Sequence, residues 1–413
     1  MRVLILNQTF HPDVAATAQH MWDLARHLDA AGHDVDAVAS RIVYGGEDQF
    51  ERTSERIGRI RIHRVAQTAF GRRHGLAGRV WDFASFYVAA LAKLNALRAP
   101  DVILALTSPP MISALGMLQK QFRGAGGRRP RLVYHVMDVY PQAAFAMGVI
   151  DPASLLARVT ARLTQRTLEL SDAVIVLGQD MKSRVLADYG PRHGRRIHVV
   201  HPWADGRELT PLDRAANPLA RELGLDGTFN ILYSGNFGAA HDADTIADAV
   251  ERMRDDPRTR FIFIGGGQRI AQIDQRARAA GWPHVRVIAY QPRSLLNQSL
   301  NLGDVHLISQ LPQFSGIVVP SKLFGIMAVG RPAVAVGPDD AEVSRLVRES
   351  GCGVVVPNGL GGELVGALRR LREDPALRAR LGAAGRRAFE SRFDSTIACA
   401  RIERILRDVV EAP

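Results

Sequence analysis

Two segments in the second half of the chain carry glycines and polar side chains where a strand would turn into a helix. The first is ILYSGNFG at 231–238, followed by His241 and Asp242, and the second is GIVVPSK at 316–322, followed by an apolar run. Helix N-termini present free N–H groups and the positive end of the helix dipole to an anion, and glycine lets the backbone come close to it. Two such segments predict a bound diphosphate, as in a nucleotide-sugar.

Lys322 is the strongest candidate for a cation at this phosphate. It follows Ser321, a possible N-cap, so a phosphate there would meet both the helix dipole and a mobile ammonium; the alternative is a lysine on an exposed first turn. Asn236 can donate an amide N–H, and His241 can donate one ring N–H when neutral or two when charged. If His241 contacts phosphate, its pKa should be raised; otherwise it opens a helix without touching a ligand.

Short apolar runs alternate with helical patterns along the chain, which predicts two doubly wound parallel sheets covered on both faces. Prolines 202, 211 and 218 lie in a polar stretch that is a candidate linker. A ligand is then expected in a cleft at the carboxyl ends of the strands. The predicted strands are 3–6, 35–39, 60–65, 102–106, 132–136, 173–177 and 198–200, then 231–233, 260–264, 285–288, 305–308, 333–336 and 353–356.

The composition is that of a globular enzyme with two domains. The chain has 413 residues, which is too long for one compact core. Hydrophobic residues make up 46% and charged residues 23%, an ordinary composition for a soluble protein. Cys352 and Cys399 lie on separate segments, so we expect small core residues rather than a disulfide, consistent with a reducing cytoplasm. No signal peptide or membrane span of about 18 apolar residues is visible.

Four sequence blocks occur in a characteristic order: NQTFHPDVAAT at 7–17, MDVYP at 137–141, YSGNFGAAHD at 233–242 and VPSKLFGIMAVGRP at 319–332. Together they resemble glycosyltransferase family 4, which has the GT-B fold of two Rossmann-like domains, and the likeness covers nearly the whole chain. It is strongest to the subgroup that builds bacterial polysaccharides of the colanic-acid and O-antigen type. The resemblance implies an acceptor domain at 1–203, a nucleotide-sugar domain at 204–395 and a C-terminal helix at 396–413 that crosses back to the first domain.

The chain departs from the family pattern at the donor site. Many members have an arginine after the glycine at 235 and a lysine at 241, where this chain has Asn236 and His241. The Glu-x7-Glu motif is lost, because Gly325 stands at its second acidic position and the first falls near Ile317. Another group must therefore meet the ribose.

The remaining donor contacts are expected from the resemblance and from strand ends. Glu342 is the candidate for the ribose, with a surface carboxylate at a helix start as the alternative. Glycines 265–267 would let the backbone approach the nucleotide, and Tyr290 either stacks on the base or packs in the protein. The expected donor-binding residues are Ser234, Gly235, Asn236, His241, Gly265, Gly266, Tyr290, Gln291, Pro320, Ser321, Lys322 and Glu342.

The first half is expected to supply the acceptor side and part of the catalytic machinery. Asp138 follows the strand at 132–136, where a carboxylate faces the cleft; in related enzymes an acidic residue or histidine here touches the donor sugar or the acceptor. The alternative for Asp138 is a loop cap. His11, Asp13 and Thr17 follow the first strand in a loop that would reach the diphosphate or the acceptor hydroxyl. The expected catalytic residues are thus Asp138, His11 and Lys322, and the acceptor-side residues are Asp13, Thr17 and Asp138.

No metal and no cofactor are expected. No Asp-x-Asp motif stands at a strand end, and no cluster has metal-ligand spacing. The resemblance implies a metal-independent, retaining reaction in which helix dipoles and cations stabilise the leaving diphosphate.

The net charge of +11 has three functional interpretations: nucleic acid, an anionic membrane surface or an anionic substrate. The plain alternative is a solvated basic surface. No nucleic-acid module accompanies the charge, so we expect no nucleic-acid partner. Residues 70–98 favour contact with an anionic membrane surface, because basic residues flank an aromatic-rich amphipathic helix; a helix packed on the first sheet is the alternative. The basic residues are Arg72, Arg73, His74, Arg79, Lys93 and Arg98, with Arg123, Arg128 and Arg129 nearby.

The resemblance thus implies a retaining glycosyltransferase that moves a sugar from a nucleoside-diphosphate sugar to a saccharide acceptor, and the subgroup favours a UDP-sugar as the donor. The acceptor is expected to be lipid-linked, and the enzyme cytoplasmic or peripheral on the inner face of the membrane. A transferase for a soluble small molecule is the first alternative and predicts activity without lipid. A nucleotide-sugar epimerase of the same fold is a remote one, since it needs acid and base carboxylates around the sugar.

Overall fold

The computed structural model of the protein describes residues 1–43, 48–71, 75–122, 129–225 and 227–412, without the side chains of residues 76 and 77. The chain divides into two compact units, residues 1–201 with 398–413, and residues 202–397. The predicted boundary, after residue 203, lies two residues from this division. Several of the basic residues singled out above lie outside the described ranges, namely Arg72, Arg73, His74, Arg123 and Arg128.

Within the described residues, the first unit contains one eight-stranded sheet. Its strand order is β3-β4-β2-β1-β5-β6-β7-β8, parallel except for the antiparallel pair β3 and β4. The strands are β1 (Arg2–Leu6), β2 (Asp34–Ser40), β3 (Ser54–Ile57), β4 (Ile60–Val65), β5 (Val102–Ala105), β6 (Arg131–Val136), β7 (Ala173–Val176) and β8 (Ile197–Val199), and the helices are α1 (Ala16–Ala30), α2 (Gly75–Ala96), α3 (Ser113–Phe122), α4 (Gln142–Ala146), α5 (Leu155–Leu170) and α6 (Gln179–Tyr189).

The second unit contains a six-stranded parallel sheet of the order β11-β10-β9-β12-β13-β14 in the residues described. The strands are β9 (Phe229–Asn236), β10 (Thr259–Gly266), β11 (Val285–Ile288), β12 (Val305–Ser309), β13 (Ala333–Val336) and β14 (Gly353–Val356). The helices are α7 (Pro218–Glu222), α8 (Asp244–Arg252), α9 (Gln268–Ala279), α10 (Leu296–Leu300), α11 (Lys322–Ala328), α12 (Glu342–Ser350), α13 (Gly361–Glu373) and α14 (Pro375–Arg392), followed by α15 (Ser395–Glu411), whose residues from Ala398 onward group with the first unit.

The two parallel sheets predicted from the apolar runs are confirmed. The central strands are buried along their whole length, as in β5, where all four side chains are inaccessible; helices on both faces explain why such strands lack alternation. Helix α2 covers one face through Phe86, Ala90 and Leu94, which recur at helical spacing in the first core. The buried face of α2 therefore matches the alternative interpretation of residues 70–98, in which this helix packs on the first sheet.

Two details of the predicted elements are wrong. Strand β3 was not expected, because its sequence SERI is mostly polar; it lies at the sheet edge, where charged side chains are common. The segment before Lys322 is not a strand. Residues 316–320 form an irregular loop, and the Gln310 side chain holds it by donating to the carbonyls of Phe314 and Val318 at 2.9 and 3.0 Å.

The two cysteines, Cys352 and Cys399, are both buried and are not joined by a disulfide, as expected from their spacing. No helix in the described residues is long and apolar enough to cross a membrane.

Candidate functional site

The carboxyl ends of β9 and β10 carry glycines at points where a side chain would collide with neighbouring backbone. Gly235 and Gly265 are paired in the sheet register and have φ angles of 114° and 134°. A Cβ atom on Gly265 would lie 2.3 Å from the Gly235 carbonyl oxygen, and one on Gly267 would lie 2.6 Å from that of Phe237. The Phe237 N–H then donates to the Gly266 carbonyl at 2.8 Å. Only glycine fits at these positions, which we call the glycine turn (Gly235, Gly265 and Gly267). Backbone rather than side chains is therefore exposed at the strand ends.

Lys322 brings a cation to this glycine turn. Its Nζ donates to the Asn236 carbonyl at 3.0 Å, lies 3.4 Å from Nε2 of His241, and stands 4.7 Å above the centre of the Tyr233 ring. A Cβ atom on Gly235 would be 3.2 Å from Cε of Lys322, so that glycine makes room for the lysine side chain. Lys322 is also the only lysine between residues 202 and 397.

The electrostatic state of Lys322 follows from its surroundings. Burial lowers the pKa of its ammonium to about 7, because the charged form loses hydration that neutral acceptors only partly replace. Among the contacts described, Lys322 has no carboxylate partner. A bound anion would therefore stabilise its charged form.

His241 is a neutral ring with a defined tautomer. Its Nδ1 lies 2.5 Å from the Ser309 carbonyl oxygen, and since a carbonyl only accepts, the proton is on Nδ1 and the lone pair of Nε2 faces Lys322. Burial, followed by the charge of Lys322, lowers the pKa of His241 to about 3, although the bond to Ser309 opposes this. The single N–H of the neutral ring is thus already used within the protein, so a phosphate contact would need Nε2 to become protonated.

The predicted helix starts differ from the structure. Helix α8 begins at Asp244, not at His241, and Asp242 lies before it and accepts hydrogen bonds from Thr245 N and Oγ1 at 3.0 and 2.6 Å. Ser321 precedes α11, but its hydroxyl makes no capping bond. The prediction of a side-chain N-cap at Ser321 is therefore wrong, because its backbone is already helical.

The remaining predicted donor residues lie around the same strand ends or beyond them. Ser234 pairs with Ile264 in the sheet, Asn236 is exposed at the end of β9, and Pro320 is buried before the α11 turn. Tyr290 is 59% exposed and its ring edge covers Gly266, where a Cβ atom would be 3.0 Å from Cε2. The Gln291 side chain donates to the Ala289 carbonyl at 3.0 Å.

Glu342 is buried, in contrast to the surface carboxylate considered as the alternative. It is the first residue of α12 and is only 1% exposed. Its carboxylate forms an ion pair with Arg345, one turn further along, with Nε lying 3.4 Å from Oε2. Such a carboxylate is already partnered, and its role toward a ribose stays a prediction.

Two amide residues that the sequence analysis did not single out, Asn358 and Gln310, hold the loops around His241 and Lys322. Asn358, after β14, donates to Asp242 Oδ2 at 2.7 Å and to the Gln310 carbonyl at 3.0 Å. Gln310 in turn secures the loop before Lys322, as described above. Amide side chains at strand ends were the available signal, since such groups need partners where they are shielded from water.

In the first unit, Asp138 lies directly beyond the carboxyl end of β6. Its backbone N–H faces the Thr107 hydroxyl at 3.3 Å, beyond the end of the neighbouring strand β5. Burial raises the pKa of the Asp138 carboxyl to about 6, because no described cation offsets the lost hydration of the carboxylate. A carboxyl group with this pKa can exchange a proton near neutral pH.

The loop after β1 is well ordered by packing and hydrogen bonds. The ring of His11 stacks on Trp22 with centroids 4.0 Å apart, and its carbonyl accepts from Arg64 at 2.9 Å. Asp13 is buried, and its Oδ1 accepts from the Ala15 N–H at 3.3 Å. Thr17, in the first turn of α1, shares a hydrogen bond with the hydroxyl of Thr9 at 3.1 Å. Each of these residues therefore lies at the carboxyl edge of the first sheet, near the start of α1.

The described residues contain no group of three or more His, Cys, Asp or Glu side chains that could hold a metal ion.

Comparisons with known proteins match both units of the chain. Residues 16–203 match the family described as "Glycosyl transferase 4-like domain", and residues 228–374 match "Glycosyl transferases group 1". The chain is 27% identical over 256 residues to the probable glycosyltransferase WbjE of Pseudomonas aeruginosa, a match that covers 62% of each protein and so less than two thirds of that relative. It is 25% identical to the putative colanic acid biosynthesis glycosyl transferase WcaI of Escherichia coli, over 84% of this chain and 86% of that protein.

Among solved structures, the fold is similar to that of Anabaena Alr3699/HepE in complex with UDP-glucose. The TM-score is 0.73 at 16% sequence identity, and the match covers 99% of this chain and 100% of that one. The predicted GT-B architecture, two parallel-sheet α/β domains, is thereby confirmed.

Proposed function

The chain belongs to the glycosyltransferases with 4-like and group 1 domains, and from this premise we propose that it moves a sugar from a UDP-sugar to a saccharide acceptor with retention of configuration. The acceptor is lipid-linked, and the product enters bacterial surface or exopolysaccharide. The observation that carries the proposal is the ammonium of Lys322, which lies at the glycine turn where β9 and β10 end.

In the proposed complex the donor diphosphate binds at the strand ends of the second unit. There Lys322 supplies a cation with no carboxylate partner among the described contacts, and glycines 235 and 265 leave the backbone open to close approach. HepE was solved with UDP-glucose, which supports a uridine nucleotide. The name of WcaI refers to colanic acid biosynthesis, which supports a polysaccharide product.

The proposed reaction is a substitution on one face of the donor sugar. The bond from C1 to the diphosphate oxygen breaks while the bond from C1 to the acceptor oxygen forms on the same face. The acceptor proton passes to the departing phosphate oxygen, so no strong side-chain base is needed. Lys322 stabilises the negative charge that grows on the leaving group; removing one such contact typically costs about 2.7–4 kcal/mol of barrier. No metal ion takes part in this scheme.

The first unit is proposed to bind the acceptor. Asp138, with its pKa raised to about 6 by burial, is the residue that we propose to contact the donor sugar or an acceptor hydroxyl. His11, Asp13 and Thr17 follow β1, which is separated from β6 by β5 in the sheet. These residues share the carboxyl edge of the first sheet, where ligands of α/β folds bind.

The membrane contact is proposed through α2 and the residues before it. Opposite its buried stripe, α2 exposes Val80, Trp81 and Val88 at 59%, 68% and 72%, and Arg79 is exposed beside them. Phe70 is also half-exposed. An apolar stripe next to basic residues suits peripheral binding to anionic lipid at the inner face of the membrane.

A thermal shift series with UDP, GDP, dTDP and ADP tests the donor assignment. A ligand at 100 times its Kd adds about 2.7 kcal/mol of stability, so UDP should raise the Tm of the wild type. Lys322→Ala should lose that rise, whereas Lys182→Ala, a lysine of the first unit, should keep it. Equal shifts in EDTA and in Mg²⁺ are expected; a shift that requires Mg²⁺ contradicts the metal-independent scheme.

Transfer assays then separate the acceptor classes. A lipid-linked saccharide in vesicles should be glycosylated from the UDP-sugar that binds, and the anomeric configuration of the product should match that of the donor. Efficient transfer to a soluble aglycone with no response to vesicles would instead favour the small-molecule transferase. Interconversion of the donor without transfer would favour the epimerase.

A further inference from the structure

A second apolar surface lies in the first unit, away from α2. Of the fourteen large apolar side chains that are exposed in the described part of the chain, eleven belong to the first unit. Five of them fall within thirteen consecutive residues around the connection from α4 to α5. They are Met147, Val149, Leu155, Leu156 and Val159, with exposures of 44%, 47%, 73%, 56% and 52%; we name them the α4–α5 surface.

The α4–α5 surface has a defined shape. The connection after α4 turns back on it, because the Val149 N–H donates to the Ala144 carbonyl at 2.9 Å. Helix α5 then starts with a side-chain cap, in which the Ser154 hydroxyl accepts from Ala157 N at 3.1 Å. Leu155 and Val159 stand one turn apart on its solvent side. Isolated exposed apolar residues need no explanation, but a contiguous group marks an interaction site.

The position of this surface follows from the topology. Helix α5 ends at Leu170, just before β7 begins at the amino edge of the sheet, so its first turn is at the carboxyl edge. The Thr164 hydroxyl donates to the Tyr140 carbonyl at 3.1 Å, which ties α5 to the segment that follows Asp138. The α4–α5 surface therefore extends beyond the same edge that carries Asp138.

Helix α2 emerges on the same side. Helix α3 packs against both α2 and α5, so the three helices lie side by side on one face of the first sheet. Neighbouring helices are about 8–10 Å apart, which places the exposed stripe of α2 about 20 Å from the α4–α5 surface. Both α2 and α5 begin at the carboxyl edge, so a single extended surface can contact the two together.

The charges beside the α4–α5 surface identify the partner. Arg158, Arg162 and Arg166 are exposed along α5, and of these Arg166 pairs with Glu169 at 3.0 Å. On the connection between α4 and α5, the one acidic residue is Asp151, whose exposed carboxylate accepts from the Ala153 N–H. The exposed arginines of α5 therefore outnumber it. Apolar side chains next to a basic stripe match the acyl boundary and anionic headgroups of a lipid bilayer.

We propose that the α4–α5 surface inserts into an anionic lipid interface as a second anchor, and holds the carboxyl edge of the first sheet against the membrane. Its role in presenting a lipid-linked acceptor to Asp138 rests on the proposed function. The lipid contact itself does not, because it follows from the exposed surface and its charges alone.

Site-specific labelling tests the contact directly. Both native cysteines are buried, so Leu155→Cys can be labelled selectively with an environment-sensitive fluorophore. Vesicles containing phosphatidylglycerol should shift its emission to the blue, and pure phosphatidylcholine should do so less. Leu360→Cys, 41% exposed in the second unit, is the matched control and should not respond. No response at position 155, or a shift that depends on protein concentration without vesicles, overturns the proposal; the latter indicates a second copy of the chain.

Partition measurements give the energetic test. The double variant Leu155→Gln, Leu156→Gln should bind phosphatidylglycerol vesicles at least about tenfold more weakly, whereas Leu360→Gln should not. Both leucines are exposed, so the thermal stability and the UDP-induced shift should remain those of the wild type. Unchanged vesicle binding refutes the second anchor. If UDP does not raise the Tm of the wild type, the proposed function is refuted. The vesicle measurements then still decide whether the lipid contact exists.

Discussion

The ammonium nitrogen of Lys322 lies 3.4 Å from Nε2 of His241, and the other ring nitrogen of His241 donates to the Ser309 carbonyl. The contacts from the Ser309 carbonyl to His241 and from His241 to Lys322 fix the ring as a neutral acceptor. The histidine therefore orients the lysine and adds no charge. Together with the Asn236 carbonyl and the Tyr233 ring, it provides one acceptor for each N–H of the ammonium. A bound diphosphate must replace at least one of these neutral partners.

Donor affinity should therefore fall as the pH rises through the pKa of Lys322. That pKa is lowered to about 7 by burial, so the ammonium is present below this pH and is lost above it. The Kd for UDP should rise roughly fivefold from about pH 7 to about pH 8, because the charged fraction of Lys322 falls from about one half to about one tenth. At higher pH the rise approaches about tenfold per unit, or about 1.4 kcal/mol. Isothermal titration calorimetry at fixed ionic strength measures this.

Lys322→Arg is the matched control for that experiment. A guanidinium stays charged across the whole range, so its UDP affinity should be nearly flat above pH 7 even if its absolute value differs. Titration of the nucleotide itself is common to both proteins and cancels in the comparison. Parallel curves for the two proteins would show that Lys322 is not the titrating group.

The same burial predicts that Lys322 lowers the stability of the folded protein. The pKa of its ammonium is depressed on folding, so the unfolded chain binds the extra proton and stability is reduced at pH values below the unfolded pKa. Replacing the lysine with methionine, a similar apolar chain, should raise the free energy of unfolding near pH 7 by about 1 kcal/mol, or roughly 2–4 °C in Tm. The gain should shrink as the pH rises from about 7 to about 10.5, because lysine in the unfolded chain stays largely charged up to that value and is neutral in both states only above it. Calorimetry of both proteins at the two pH values checks this, and a Tm loss at neutral pH contradicts it.

The glycine turn yields a steric prediction. Gly265→Ala forces a Cβ atom to within 2.3 Å of the Gly235 carbonyl and places alanine at a φ of 134°, so a cost of roughly 2–4 kcal/mol is expected. UDP binding should weaken with it, because the strand ends must separate. Gly362→Ala, where nothing lies within 4 Å of the added atom, should leave both the Tm and UDP binding close to those of the wild type. Chemical denaturation and calorimetry on the pair test the packing, and equal behaviour of the two variants refutes it.

The extent to which the sequence predicted these features depends on the range of the interactions. Apolar runs predicted the strands of both sheets, since burial on two faces leaves a local pattern. The polar edge strand β3 left none, and residues 316–320 resembled a strand because their burial comes from a loop held by Gln310. The glycine and helix-start pattern predicted Lys322 as a cation for phosphate, and the end of a predicted strand pointed to Asp138; both roles stay predictions. The tautomer of His241 and the ion pair of Glu342 could not be predicted, because Ser309 is far from His241 in sequence and the burial of Glu342 depends on the whole fold.

Asp138 provides the last prediction, because burial alone raises the pKa of its carboxyl to about 6. The folded state favours the protonated form, so this residue reduces stability increasingly as the pH rises from about 4 to above 6. Asp138→Asn keeps the shape without the charge and should raise the free energy of unfolding by about 1 kcal/mol at pH 8, allowing for the partial exposure of the side chain, but not at about pH 4. If the carboxylate contacts the reacting sugar or the acceptor, the same variant should lose at least about tenfold in kcat/KM and also lose the inflection near pH 6 in its pH profile. Asp151→Asn, an exposed carboxylate of the same unit, is the control. A variant that gains stability at pH 8 but retains the wild-type kinetics and pH profile would assign Asp138 to the loop alone.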